Sequence, residues 1–204
     1  MLRPIFEHFM NWKVTTEPTN EPVARTEAKL HLKVDYTTDD DLIDELIKTA
    51  RQWCEDYEGR SYMTQTITLY MDSFCSDVIY LPRPPILSVD SVKYLDDTDT
   101  WQTLDTSIYD VDLFSNVGRI ILAYGQSWPT TLADRNAVQI IYKTGYSETA
   151  ADASKIPSRV KSAMKLIVGH LYENRENSII GLTAQNIPMG ATSLLNDRVF
   201  YAGR

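Results

Sequence analysis

The chain is expected to be an α+β protein: a bundle of two long helices and a short N-terminal one, an inserted antiparallel β domain, and extended arms at both ends. Apolar residues recur at steps of three and four before residue 58 and again after Pro157. Between these stretches, from about residue 64 to 144, β-branched and aromatic runs are separated only by turn signals. Neither pattern holds near the two ends. With 204 residues, 43% of them hydrophobic and 24% charged, the chain is long enough to enclose one real core.

Residues 1–20 read as an arm. Met1–Trp12 is interrupted by Pro4, Glu7 and His8, so it has no signal-peptide core, and residues 15–22 form a polar linker containing Pro18 and Pro22. A short helix follows over about 23–34, carried by Ala24, Ala28, Leu30 and Leu32. Thr37 and Thr38 then precede Asp39, Asp40 and Asp41, which puts hydroxyl caps and negative charge at a helix N-terminus. Leu42, Leu46, Ala50, Trp53 and Tyr57, flanked by Ile43, Ile47 and Cys54, predict a helix over about 39–58, stopped by Gly59.

Strands are expected at 66–71, 78–81, 86–95, 108–114, 119–124 and 137–142. Pro82, Pro84 and Pro85 cannot sit inside a central ladder, so they must form an extended edge or crossover before the alternating run that starts at Ile86. Asp96 to Thr100 is a polar turn cluster leading to Trp101, the mark of a hairpin. Trp101 and Trp128 are expected to anchor the β core.

Pro157 suits the first position of a second long helix, about 157–175, with Val160, Ala163, Met164, Ile167, Val168, Leu171 and Tyr172 along one face. Residues 177–204 hold one acid (Asp197) and two bases (Arg198, Arg204) among many apolar side chains. A solvated tail is normally more polar, so this segment is expected to dock, on its own domain or on a partner. Leu194, Leu195, Arg198, Phe200 and Tyr201 are the residues expected to make that contact.

Chemistry has few footholds. The formal charge of −8 argues against gripping nucleic acid through a basic surface. No glycines fall at phosphate-loop spacing, and Pro129 stands where Gly125-Gln126-Ser127-Trp128 would need glycine to make a nucleophile elbow. His8, His31 and His170 lie apart, which gives zinc no ligand set, and the Asp96–Asp99 run lacks the glycine and closing glutamate of a calcium loop. Cys54 and Cys75 read as small buried hydrophobes. No catalytic group, metal or cofactor is expected, and no stretch approaches a membrane span.

An ordered set of short motifs runs from residue 21 to 176. It begins with Glu21-Pro22-Val23, Glu27-Ala28-Lys29, His31-Leu32 and Asp39–Asp41, and continues through Gly59-Arg60 and Thr64-Gln65-Thr66. Leu81-Pro82-Arg83-Pro84-Pro85 precedes Ser88-Val89, Ser91-Val92 and Tyr94, followed by Tyr109, Val111-Asp112, Gly125 with Trp128-Pro129, and Asn136-Ala137-Val138. Tyr142, Gly145-Tyr146, Ile156-Pro157 and Tyr172-Glu173-Asn174-Arg175-Glu176 close it. In this order the chain resembles the head-tail connector, or adaptor, proteins of long-tailed bacteriophages and gene-transfer particles. The resemblance implies a structural virion protein of the neck at the portal vertex, assembled in the host cytoplasm. It implies a homo-oligomeric ring, typically a dodecamer, held to the portal by its C-terminal segment and carrying the next neck, stopper or tail protein. DNA would pass through the channel without sequence-specific binding, and an acid-lined channel would repel phosphate. Residues 21–176 would then be the connector domain, and 177–204 a docking tail outside the recognisable pattern. A stopper or tail terminator is the nearer alternative, and an uncharacterised enzyme the more distant one.

Overall fold

Two antiparallel sheets and four helices make up the computed structural model, which describes residues 10–115, 117–146, 153–174 and 189–195. The first strand, β1 (Met10–Thr16), is followed by helices α1 (Arg25–Leu32) and α2 (Asp40–Glu58). Next come β2 (Gln65–Met71), β3 (Val78–Tyr80), β4 (Ile86–Leu95), β5 (Trp101–Thr103), β6 (Tyr109–Asp112), β7 (Arg119–Leu122) and β8 (Val138–Thr144). Helices α3 (Ser158–Glu173) and α4 (Met189–Leu194) follow. The five-stranded sheet has the order β1-β2-β8-β4-β5 and the three-stranded sheet β3-β7-β6. No helix among the described residues is long and apolar enough to cross a membrane.

Residues 10–16 are part of a sheet. They pair with β2 from Met10↔Met71 to Thr16↔Thr66 as its edge strand. The arm reading of this segment missed the pairing because only Met10 and Val14 turn inward, too few to give a run of period two. Helix α2 starts at Asp40 without a side-chain cap, so Thr37 and Thr38 do not play the expected role. The acids of its first turn bind neighbouring helices. Asp40 takes Lys29 Nζ at 2.5 Å and Arg25 Nη1 at 3.3 Å, while the Tyr172 hydroxyl donates to Asp39 at 2.6 Å. Gly59 does end α2, at φ 70°, with its N–H on the Glu55 carbonyl at 2.9 Å.

Two apolar clusters lie behind these elements. Val23, Ala28, Ile43, Ile47, Ala50 and Cys54 meet Val160, Ala163, Met164, Ile167 and Val168 between α1, α2 and α3. The second cluster joins both sheets through Ile67, Leu69, Met71, Ile79, Leu81, Ile120, Val138, Ile140 and Tyr142. Each fully buried Ile or Leu contributes roughly 1.5–3 kcal/mol relative to exposure. Strand β4 does not alternate as its sequence suggests. Register shifts at Ile86/Ser88 and Val89/Ser91 break the period, leaving Ile86, Val92 and Leu95 as its buried side chains. Trp128 stacks on Phe74, centroids 4.6 Å apart, and its Nε1 donates to the Ser76 carbonyl at 3.0 Å. Trp101, by contrast, is 49% exposed, because the three residues of edge strand β5 face solvent on both sides. It is not a core anchor. Cys75 is exposed as well, against expectation, whereas Cys54 is buried.

The hairpin tip and one glycine give direct tests. The Asp96 carboxylate accepts the N–H groups of Thr98 (2.9 Å) and Thr100 (3.0 Å), the Thr98 hydroxyl (2.7 Å) and the Gln102 amide (2.8 Å). These bonds, led by the Thr98 side chain, lower its pKa from 3.8 to about 2. An NMR titration should therefore find Asp96 near 2, its contribution to stability held above 3.8 and lost as pH falls toward 2. Gly145 sits at φ 130°, and a Cβ there would come within 2.6 Å of the Met63 carbonyl oxygen. Gly145→Ala is expected to cost about 3 kcal/mol, measured as a lower urea midpoint.

Candidate functional site

The C-terminal candidates divide between two settings. Helix α4 returns to α3, where Ala191 and Leu195 are wholly buried in the helical cluster and Leu194 packs half-buried at its edge. Leu195 therefore belongs to this chain's own core. Arg198, Phe200 and Tyr201 lie outside the described residues.

The densest polar assembly is one that sequence reasoning did not single out. Arg51, projecting from the middle of α2, is 1% exposed. Its Nε donates to Glu21 at 2.7 Å, its Nη1 to Glu55 at 2.9 Å and its Nη2 to Glu17 at 3.5 Å. Glu55 also accepts the Tyr62 N–H at 2.8 Å and the Gln65 amide at 3.4 Å, while the Tyr62 hydroxyl donates to Glu58 at 2.8 Å. Burial raises the Glu55 and Glu21 carboxyls above their usual range, against the pull of Arg51. The only hint in the sequence is spacing: Arg51 and Glu55 are an i,i+4 pair on the face that also carries Ile47 and Cys54.

Beside this network lies an open cleft of about 210 Å³, lined by Trp12, Glu17, Arg51, Glu55, Gln65 and Arg83 among others. Arg83 spans it, with its guanidinium 4.8 Å from the Trp12 ring centroid and an ion pair to Asp56. Every charged group here answers another, and no serine, cysteine or histidine lines the cleft. The arrangement holds the linker, α2 and the sheet together. It offers no nucleophile and no general base positioned for one.

The remaining chemical candidates are structural. His170 closes α3: its carbonyl accepts both the N–H and the side-chain amide of Asn174, at 3.0 and 2.8 Å. His31 lies against Gly169 of α3. Burial pushes the Cys54 thiol up to about 12, which leaves it inert. No cluster of metal-ligating side chains occurs among the described residues.

What the fold does leave open is surface. Phe114 and Tyr124, assigned from sequence to strand ends, stand fully exposed in the segments after β6 and β7, and Leu30 of α1 is 81% exposed. Nothing in an alternating pattern tells a strand's last inward residue from the first residue of the following turn.

Known proteins share this architecture. A chain of the virion of a native gene transfer agent (GTA) particle superimposes with a TM-score of 0.76 at 18% identity, over 95% of this chain and 98% of that one. Chains from the neck of the empty GTA particle computed with C6 symmetry and the neck of the native particle computed with C12 symmetry give TM-scores of 0.74 and 0.73. Identity and coverage are the same for both. No curated protein sequence matches significantly. The sequence profile of the family described as "Head completion protein" matches residues 7–189, through both sheets and all three larger helices. The chain belongs to the head completion protein family.

Proposed function

We propose that the chain assembles with copies of itself into a ring beneath the portal, lengthens the DNA channel there and presents a platform to the next neck component. As a head completion protein it is a structural component of the particle neck and not an enzyme. The observation that carries the ring reading is extent: likeness to the GTA neck chains runs over 95% of this chain, so the whole two-part architecture recurs and not one motif. The ring adopted here is a dodecamer. In this reading α1, α2 and α3 act as a bundle carrying the β domain, residues 21–176 form the connector unit with β1 added at its sheet edge, and α4 roots a C-terminal arm in the helical core. The net charge of −8 suits a wall past which DNA moves without sequence-specific contact, since holding phosphate needs clustered Lys and Arg.

The portal contact is assigned to the C-terminal segment. Buried Leu195 is its root, half-buried Leu194 its nearest surface, and Arg198, Phe200 and Tyr201 its contact residues. Truncation must spare the root, because removing Ala191 and Leu195 would open the helical core.

Two measurements test the reading. Electron microscopy of the purified full chain, with and without portal complexes, should show rings of twelve copies seated on the portal. A chain that stays monomeric in both samples is not a ring-forming connector. Deletion of residues 196–204 should leave the melting temperature within about 2 °C of the parent, as expected for a ΔΔG below about 0.5 kcal/mol, and abolish co-sedimentation with the portal. Undiminished co-sedimentation would place the portal contact elsewhere.

A further inference from the structure

We infer that neighbouring copies touch through the outer face of the three-stranded sheet on one copy and the α1–α3 surface on the next, a contact that rests on the ring reading above. The first surface follows from register. Ile79 and Ile120 are paired across the sheet and buried in the core, so the adjacent rows face outward: Val78, Ile121 and Asp110 in one, Tyr80, Arg119 and Asp112 in the other. Phe114 follows β6 and Tyr124 follows β7, so the two fully exposed aromatics lie at opposite ends of this antiparallel pair. Neither ring supports the fold. The Phe114 N–H bonds Asp112 at 3.0 Å, but any residue would supply that N–H. Exposed aromatics grouped on one face are the usual anchors of protein contacts.

Charge selects the occupant. Residues 65–146 contain ten aspartates, no glutamate and five Lys or Arg, whereas residues 153–174 contain Lys155, Arg159, Lys161 and Lys165 against Glu173 alone. The helical surface also carries an apolar knob. Leu30 is one turn on from Glu27, whose carboxylate accepts Lys165 Nζ at 2.9 Å, and His31 beside it lies against Gly169 of α3. Within the outer rows Asp112 is paired with Arg119 at 2.9 Å, so Asp110 supplies the net negative charge of that face, set against the lysines of the helical surface. Closed rings of identical subunits require such a pair of unlike surfaces on every copy. The same acidity disfavours DNA as the partner of the sheet face.

Phe114→Ser and Leu30→Ser alter exposed side chains and should melt like the parent. Each is expected to lower the yield of rings at least tenfold when the full chain is co-expressed with the portal and counted by electron microscopy. Asp110→Lys and Lys161→Asp should each lower the yield similarly, and the double variant should recover at least half of it. Unchanged ring yield in both serine variants, or a double variant no better than its singles, overturns this contact and leaves the ring intact. A parent chain that forms no ring with or without the portal overturns the ring reading and this contact with it.

Discussion

Arg51 sits where the N-terminal linker, helix α2 and the start of the five-stranded sheet converge, and carboxylates from the linker and the helix surround it. Burial alone would lower the guanidinium's pKa, yet Glu55 and Glu21 together outweigh that effect and raise it. The glutamates do not gain as much. One cation is shared among three carboxylates, so desolvation leaves the Glu21 and Glu55 carboxyls above their ordinary range. Raised folded values mean that their contribution to stability is fullest at low pH and declines as pH rises through those values. Mild acid therefore relieves this cluster. Loss of the arginine would be far worse, because an uncompensated buried charge costs about 3–5 kcal/mol.

A second junction works by a different balance. The loop from Leu81 to Pro85 crosses from the three-stranded to the five-stranded sheet, and three of its residues have no N–H to donate. The carbonyls of Pro82 to Pro85, however, are all used. Pro82 accepts the Tyr142 hydroxyl at 2.9 Å, Pro84 the Ser61 N–H at 3.2 Å, and Pro85 the Gly145 N–H at 2.9 Å, while the Thr144 hydroxyl bonds the Arg83 carbonyl. Donors come from β8 and its following turn on one side and from the segment after α2 on the other. A loop short of donors is thereby satisfied where it is buried, as backbone polar groups must be. Both sheets and the helical layer are held at one place.

The helices and most strands were legible because their signals are local. The 3.6-residue periodicity of α2 and α3, Gly59 at the end of α2, and the β-branched run of β2 each specify their element without reference to the rest of the chain. What escaped was relational. β1 declares itself only through its pairing with β2, and the bulges of β4 only through register with β8. Asp39 and Asp40 look like capping residues until the partners brought by α1 and α3 are known. Arg51 looks like one more charge on an amphipathic helix, since nothing local shows that Glu17 and Glu21 will fold over it. Of the docking residues read from composition, Leu195 is occupied by its own core, because an apolar tail cannot reveal which surface it will cover.

The acidity of the β region has a local origin that qualifies its electrostatic meaning. Asp96, Asp105 and Asp112 each accept backbone N–H groups two to four residues ahead, and Asp72 accepts the N–H of Asn136 across a loop. Aspartate suits these turns because its short side chain reaches the backbone, as the longer glutamate does not. Turn chemistry of this kind favours aspartate over glutamate in a β region that holds ten aspartates and no glutamate. Part of the negative charge here comes from making tight turns between short strands. A surface so produced still repels phosphate, so one choice of turn residue both shapes the loops and sets the sign of the field around them.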